Sequence, residues 1–346
     1  MRFGYWMPVF GGWLRNVADE GMEVSWADVR AVAQDSERAG FDLTLIAELM
    51  LNDIKGPQAP SWDAWTLAPA IAAVTERLEL MLAVRPNYHQ PALTAKALSS
   101  LELLAPGRIS MNVVSSWWAQ EAEQYGMPFD THDARYDRTE EWLQVVSRLL
   151  TEQGPVTHHG ERYQLTDCVL APRPGRPPTA YMGGESPRAK DLIAARGGAY
   201  VMHGDALEVI AEKITDMRER RARLAPDAPA LTFGLSGFVI LRDTEDQARA
   251  ELARVLDVRA SPAAYTSYQD FVSHSHLESQ VALEEYSVSN RGLRAGLVGT
   301  PDQVTKKIAD YESVGVDLML LQFSPQREEM ARFGEQVIGH GNRLPA

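Results

Sequence analysis

A chain of 346 residues with 45% hydrophobic and 23% charged residues has the make-up of a globular protein with a large core. Its net charge of −13 argues against nucleic acid, whose phosphates call for basic patches, and against an anionic membrane surface. No run of about 18 apolar residues is present to span a bilayer, and the single cysteine, Cys168, excludes an internal disulfide and fits a reducing, cytoplasmic setting.

The opening is already strand-like, with no charged leader or apolar signal region ahead of it. Arg2 to Val9 reads as the first strand, ended by Pro8 and Gly11-Gly12. The spacing of Val29, Val32 and Ala33 after a Ser25 cap predicts a helix to Ala39, stopped by Gly40. Strands follow at Leu43 to Ala47, Leu78 to Val84 and Ile109 to Val114, separated by helices over Trp62 to Thr75 and Ala92 to Leu104. A long helix over Thr139 to Leu150 leads into a proline-rich excursion, Thr151 to Pro178, predicted to hold a small hairpin. Alternation then resumes with strand Ala180 to Met182, helix Pro187 to Ala195 and strand Ala199 to Met202. Next come helix Ala206 to about Arg223, strand Leu231 to Leu241 and helix Thr244 to Leu256. Val258 to Arg294 breaks the pattern, with His274 and His276 in it and no strand. Helix Pro301 to Val314 and strand Leu318 to Phe323 complete the series. Eight strands alternating with helices predict a parallel α/β sheet closed as a (β/α)8 TIM barrel. It forms one domain over residues 1–346, with insertions at about 151–178 and 258–294.

In such a barrel chemistry sits at the carboxyl ends of the strands, where loops vary without disturbing the interior. Strand Ile109 to Val114 breaks there into Asn112-Val113-Val114-Ser115-Ser116, an amide and two hydroxyls. Gly183-Gly184-Glu185-Ser186 joins a strand to a helix, so backbone N–H groups and the helix dipole can meet a phosphate; the same residues also make a plain tight corner. His132-Asp133-Ala134-Arg135-Tyr136 offers a cation, a phenol and an imidazole, or simply a capped, charged helix start. His89, in Arg85-Pro86-Asn87-Tyr88-His89 after the third strand, is a candidate base or an ordinary loop histidine. Trp6, Trp62, Trp65, Trp117 and Trp118 fall near strand ends and suit either an apolar pocket wall or core filling. Dinucleotide, P-loop, nucleophile-elbow and zinc-protease motifs are all missing, His158-His159 with Glu161 is a poor ligand set, and no metal site is expected.

Taken together the chain resembles the bacterial-luciferase-like flavin monooxygenases from Phe3 to about Val337. The residues that carry the resemblance are Gly107-Arg108 leading to Asn112-Val113-Val114-Ser115, the His132-x-x-Arg135-Tyr136-x-x-x-x-Glu141 segment, Gly183-Gly184-x-Ser186 and Leu297-Val298-Gly299-Thr300-Pro301. Alkanesulfonate, dimethylsulfone and pyrimidine-ring-opening enzymes look most similar. The resemblance implies a homodimer or homotetramer that takes reduced FMN from a separate NAD(P)H flavin reductase and uses O2 to oxidise a small molecule, organosulfur first. It implies that Ala47, Glu48 and Asn112 meet the isoalloxazine, that Glu121, Arg135, Tyr136 and Ser186 make further cofactor contacts, and that the phosphate lies near Gly183, Gly184 and Ser186. Arg291 and Arg294 fall where the family places a basic loop over the site, so Val258 to Arg294 is expected to act as a lid. In the alkanesulfonate enzymes an arginine and a histidine occupy the places of Ser236 and Phe238, a cysteine falls near Ser61 and a tyrosine replaces Phe323. Those departures point to a neutral or weakly polar substrate, of sulfone or amide type. The other readings are a deazaflavin-dependent hydride-transfer enzyme and a non-catalytic flavin-binding barrel. The retention of Asn112, Arg135 and Tyr136 speaks against the last.

Overall fold

The computed structural model describes residues 1–258, 268 and 282–339. The first half runs β1 (Arg2–Trp6), α1 (Trp26–Ala39), β2 (Leu43–Ile46), α2 (Ala64–Ala72), β3 (Glu79–Val84), α3 (Pro91–Leu104), β4 (Ile109–Val113), α4 (Ala119–Gln124) and α5 (His132–Thr151). A hairpin of β5 (Val156–His159) and β6 (Gln164–Cys168) follows. Then come β7 (Thr179–Met182), α6 (Pro187–Arg196), β8 (Ala199–Met202), α7 (Leu207–Leu224), β9 (Thr232–Phe238), β10 (Ile240–Leu241) and α8 (Glu245–Leu256). The chain closes with β11 (Val298–Gly299), α9 (Pro301–Val314), β12 (Leu318–Gln322) and α10 (Gln326–Phe333).

Eight of these strands form a closed barrel in the order β1-β12-β9-β8-β7-β4-β3-β2, and every neighbouring pair is parallel. The first and last barrel strands lie side by side, Gly4 opposite Leu320. Alternation along the strands sorts the side chains into two sets. Leu43, Leu45, Met81, Tyr181, Ala199, Leu318 and Leu320 pack together inside the barrel. The alternate residues, such as Leu80, Leu82, Met111 and Leu321, pack outward with the helices in the main core. Local chemistry sets the ends as the sequence suggests. Ser25 accepts a hydrogen bond from the Asp28 amide at 3.2 Å to start α1, and Gly40 ends it at φ 90. Thr300 and Gln303 form a capping box on α9.

Three features differ from the sequence expectation. Helix α5 begins at His132 rather than Thr139, because its first two turns are polar and carry no apolar stripe to betray them. The strand expected over Leu231 to Leu241 splits: Thr232–Phe238 stays in the barrel, while Ile240–Leu241 pairs with Val298–Gly299 outside it. Helices α4 and α10 are short, and no expectation covered them. The hairpin in the first insertion is present. Glu141 pins it by accepting from the Arg162 and Tyr163 amides at 3.0 and 2.9 Å, with His158 at 3.1 Å. His158 is thus spoken for, and no cluster of three metal-type ligands exists among the described residues. His274 and His276 lie outside the described residues, as does most of the second insertion. Its described end forms two 3-10 turns, Glu284–Ser287 and Ser289–Ala295.

Candidate active site

The inward set of side chains, followed to the carboxyl ends of the strands, defines the barrel mouth. Trp6 pairs with Leu45, Asn112 with Tyr181 and Ser236 with Leu320, so all three point inward with partners already known to line the interior. Gln322 and Phe238, paired with each other, complete this top layer. Trp6 and Asn112 are half-buried, whereas Ser236, Gln322 and Phe238 are buried. The difference comes from the Ser289–Ala295 turn, which sits over one half of the mouth. Gln322 Nε2 donates to Ser289 Oγ at 3.0 Å. Gly292 lies against the Phe238 backbone. Arg291 places its carbonyl where a Cβ on Gly204 would come within 2.4 Å, so only glycine fits at 204. The half that this turn does not reach is built by β1, β2, β3 and β4, and there the neighbouring Glu284–Ser287 turn meets the loop after β1, with the Arg15 amide donating to the Ser287 carbonyl at 3.1 Å.

On the covered side, Gly183-Gly184-Glu185-Ser186 links β7 to α6. Ser186 caps the helix by accepting from the Ala189 amide at 3.2 Å, and Pro187 occupies its first turn. Gly184 has φ 148, and a Cβ there would lie 2.7 Å from Ala189 Cβ and 3.1 Å from the Tyr136 hydroxyl. The bare backbone therefore faces the first turn of α5. Burial pushes the Tyr136 phenol up, opposed by a hydrogen bond with Ser186 and by the charge of Arg135. Arg135 stacks on Phe129 at 4.5 Å and donates to the Asp130 carbonyl at 2.9 Å, while its Nε is buried with no partner. Burial alone would raise the Glu185 carboxyl, but His203, Arg291 and Lys213 together hold it well below the usual carboxylate range. Glu185 pairs with Arg291, and Arg291 also donates to His203 Nδ1 at 2.8 Å. Lys213 Nζ sits 3.3 Å from the same carboxylate. The bare backbone and the start of α6 suit an anion here.

The β2 and β3 ends hold a second, buried cluster. Arg85 is 1% exposed, with Glu121 at 0% and Glu48 at 5%. Arg85 Nη1 pairs with Glu121, and Arg85 Nε lies 3.5 Å from Glu48. Glu121 also accepts from the Met50 amide at 2.5 Å, and Glu48 from the Arg85 amide at 3.1 Å. His89 Nε2 meets the other oxygen of Glu48 at 2.5 Å. The His89 ring packs on Trp65 at 5.0 Å, and its carbonyl accepts from Trp142 Nε1 at 2.9 Å. Burial and Glu121 push the Tyr88 phenol up to about 12, while the Arg85 guanidinium covers its ring at 4.2 Å. Two carboxylates share one guanidinium, and His89 and Tyr88 are partly exposed, His89 at 20% of its side chain.

The structure brings most of the expected residues to the mouth. Gly183, Gly184, Ser186 and Tyr136 form one cluster, joined by Arg291 through Glu185, while the Arg135 side chain turns to Phe129 and the Asp130 carbonyl. Ala47 is the next inward position after Leu45, and Asn112 lies on the inner layer, its Nδ2 3.4 Å from the Tyr181 carbonyl. Glu48, Glu121 and His89 instead converge on Arg85 beside the mouth. Arg294 stands apart, paired with Glu285 at 2.5 Å within its own segment. The sequence reading passed over Glu185, His203 and Lys213. The first two follow strands β7 and β8 directly, so the strand-end rule would have found them. The central role of Arg85 had no signal beyond its place after β3.

The luciferase-like monooxygenase family model matches residues 1–318. An FMNH2-dependent dimethylsulfone monooxygenase of Pseudomonas putida is 32% identical over 351 residues, covering 98% of this chain and 94% of that protein. One from Pseudomonas fluorescens (strain Pf0-1) is 31% identical over 347 residues, covering 98% and 93%. The crystal structure of a long-chain alkane monooxygenase superposes with a TM-score of 0.82 at 20% identity, covering 99% of this chain and 91% of that one, which shows a shared fold. With a closed parallel barrel, a glycine cradle at a helix start and a match over nearly its whole length, the chain belongs to the luciferase-like monooxygenase family.

Proposed function

We propose that the protein is a two-component monooxygenase that receives reduced FMN from a separate NAD(P)H flavin reductase and uses O2 to oxidise a small, neutral organosulfur substrate of the sulfone type, with C–S cleavage. The observation that carries this reading is the end-to-end similarity to dimethylsulfone monooxygenases, together with Ser236 and Phe238 at inward positions of the top layer. A sulfonate anion would find no cation at either position.

The residues present fit FMN. The cradle at Gly184 is a space that a Cβ would fill, and it opens at the start of a ten-residue helix. Gly183, Gly184 and Ser186 would hold the phosphate, flanked by Tyr136 and Arg135. When bound, reduced FMN supplies the two electrons that activate O2, and the protein supplies orientation and a dry, shaped site. Asn112 orients the ring or the oxygen from the inner layer. The Ser289–Ala295 turn, latched through Arg291 to Glu185 and His203, keeps water from the β7 to β12 side. Trp6 and the apolar side chains around it wall the open side.

The test is turnover of a panel of sulfone, sulfonate, amide and thioether substrates with FMN, reductase and NADH, scored by product rather than by NADH loss. Reduced deazaflavin serves as the alternative cofactor. Sulfone oxidation with FMN is the expected result, and activity with deazaflavin alone would sink the reading. Asn112→Ala should keep the fold yet lower product per NADH by about tenfold, in line with loss of an orienting group. An unchanged ratio would make Asn112 structural.

The protein also acts as a homo-oligomer in this reading. The outward face of α3 exposes Leu93, Leu103 and Leu104 at 72, 67 and 62%, with Ala97 and Ser100 between them at helical spacing. Leu93→Glu with Leu104→Glu should turn a dimer into a monomer in analytical ultracentrifugation, and a monomeric wild-type protein would end the idea. No helix among the described residues is long and apolar enough to cross a membrane.

A further inference from the structure

Indole N–H groups are donors only, and a buried one normally has a partner. Three tryptophans packed around the barrel mouth obey this. Trp13 Nε1 donates to Gln326 Oε1 at 2.9 Å, Trp65 Nε1 to the Ala83 carbonyl at 3.2 Å, and Trp142 Nε1 to the His89 carbonyl at 2.9 Å. Trp6 Nε1 and Trp62 Nε1 do not: both nitrogens are buried with no hydrogen-bond partner, although both rings are only half-buried.

The positions of these two are not random. Trp6 ends β1 on the inner face of the barrel, next to the interior cluster. Trp62 lies in the loop that follows β2, and its own amide donates to the carbonyl of Val9, three residues beyond Trp6, at 3.1 Å. β1 and the loop after β2 both stand on the side of the barrel that the Ser289–Ala295 turn does not reach. In the barrel order β1 stands diametrically opposite β7, the strand that carries the glycine cradle. A cofactor held by its phosphate at β7 thus leaves the β1 and β2 side to the molecule it acts on. The wall there is neutral and apolar, with Trp13 6.4 Å from Trp6 and Phe10 6.5 Å from Trp13. The nearby cations are engaged with carboxylates: Arg15 with Asp53 at 3.0 Å, and Arg85 with Glu48 and Glu121.

We infer that the indole N–H groups of Trp6 and Trp62 are the substrate-reading donors of this site, each hydrogen-bonding an oxygen atom of a small neutral acceptor. A sulfone matches them: it has two acceptor oxygens, no donor, no net charge and small apolar arms for the surrounding wall. This specificity role rests on the proposed sulfone-type activity for the choice of ligand, but the donors themselves are set by the fold.

The first experiment follows the tryptophan indole signals of the intact protein by NMR, with oxidised FMN present and no reductant, so that nothing turns over. Signals of Trp6 and Trp62 are identified by their disappearance in Trp6→Phe and Trp62→Phe. Dimethyl sulfone should move both downfield and leave those of Trp13, Trp65 and Trp142 in place, whereas dimethyl sulfide, which has no oxygen, should move none. A sulfoxide and a simple amide complete the probe set. Movement caused by any neutral acceptor, in a protein that fails to oxidise sulfones, retires the substrate assignment and keeps the donors. Sulfone turnover with stationary Trp6 and Trp62 signals retires the donors and keeps the substrate assignment. Stationary signals with every probe overturn the inference outright.

The second experiment is kinetic. Trp6→Phe and Trp62→Phe keep an aromatic ring and delete the N–H. Each should raise KM for dimethyl sulfone about fivefold, the loss of one hydrogen bond, with FMN affinity held within about twofold. A fivefold loss of FMN affinity at unchanged KM would assign the donors to the cofactor and overturn the proposal, and so would no change in either.

Discussion

Gly184→Val is expected to weaken FMN binding by at least tenfold, about 1.4 kcal/mol. The reason is local and twofold. At φ 148 the backbone of residue 184 adopts a conformation that a β-branched side chain resists, and the first carbon of that side chain would already lie 2.7 Å from Ala189 Cβ and 3.1 Å from the Tyr136 hydroxyl. To relieve either contact the loop must withdraw from the start of α6, and with it the amides that would meet a phosphate. Tyr200 provides a useful control, because its hydroxyl donates to the Gly184 carbonyl at 3.1 Å and so reports on the loop from the other side. Tyr200→Phe should change stability more than cofactor affinity. Binding is read anaerobically by quenching of reduced FMN fluorescence, with melting temperatures alongside. A folded Gly184→Val protein that binds FMN normally would place the phosphate elsewhere.

Arg85→Leu should cost about 3–5 kcal/mol of folding stability, the usual penalty for leaving a buried ion without its partner. Here the substitution strands two carboxylates at once, Glu48 and Glu121, both nearly without solvent. Their remaining donors are the Arg85, Met50 and Leu51 amides, the Tyr88 hydroxyl and His89. With whole-protein stability typically of about 5–15 kcal/mol, the loss is a large fraction. Arg85→Lys should recover only part of it, since an ammonium cannot bridge two carboxylates with a planar fork. Urea titration with a structural probe measures this, and a midpoint for Arg85→Leu equal to that of wild type would show the cluster to be dispensable. His89 is partly exposed, so a damaged cluster should also alter its position at the mouth.

The barrel was legible because its signals are local. Runs such as Leu80 to Val84 are too apolar for half-exposed strands, and Ser25, Gly40 and Thr300 mark helix ends by their own chemistry. The start of α5 was only half legible: His132 to Tyr136 could be taken as a capped helix start, but Asp133, Arg135, Tyr136 and Asp137 carry no apolar stripe to join it to the helix at Thr139. The break in β9 was hidden by Val239-Ile240-Leu241, which stay apolar after leaving the barrel because they pack under α8 and β11 instead. In the site, most candidate residues were named, but Arg85, Glu185 and His203, which pair with them, were given no role. Ala47 and Glu48 are adjacent in sequence, and alternation sends the first inward and the second away toward Arg85 and His89. Glu121 rides on α4, a helix too short to announce itself. Pairing among side chains from three different loops depends on the closed barrel, and no spacing within one stretch of sequence encodes it.

The pairing of β1 with β12 has a bearing on how the enzyme is made. Trp6 is made long before Gln322, yet the two share the top layer of one ring of strands. Until β12 is released the ring has a gap beside β1, and Gly4 and Tyr5 have no neighbour on that side. The glycine cradle, carried by β7 and α6 in mid-chain, is synthesised well before the ring can close. A nascent chain therefore has its phosphate-holding loop long before it has a water-excluding chamber, and a ribosome that stalls before residue 318 yields a protein unable to enclose its chemistry.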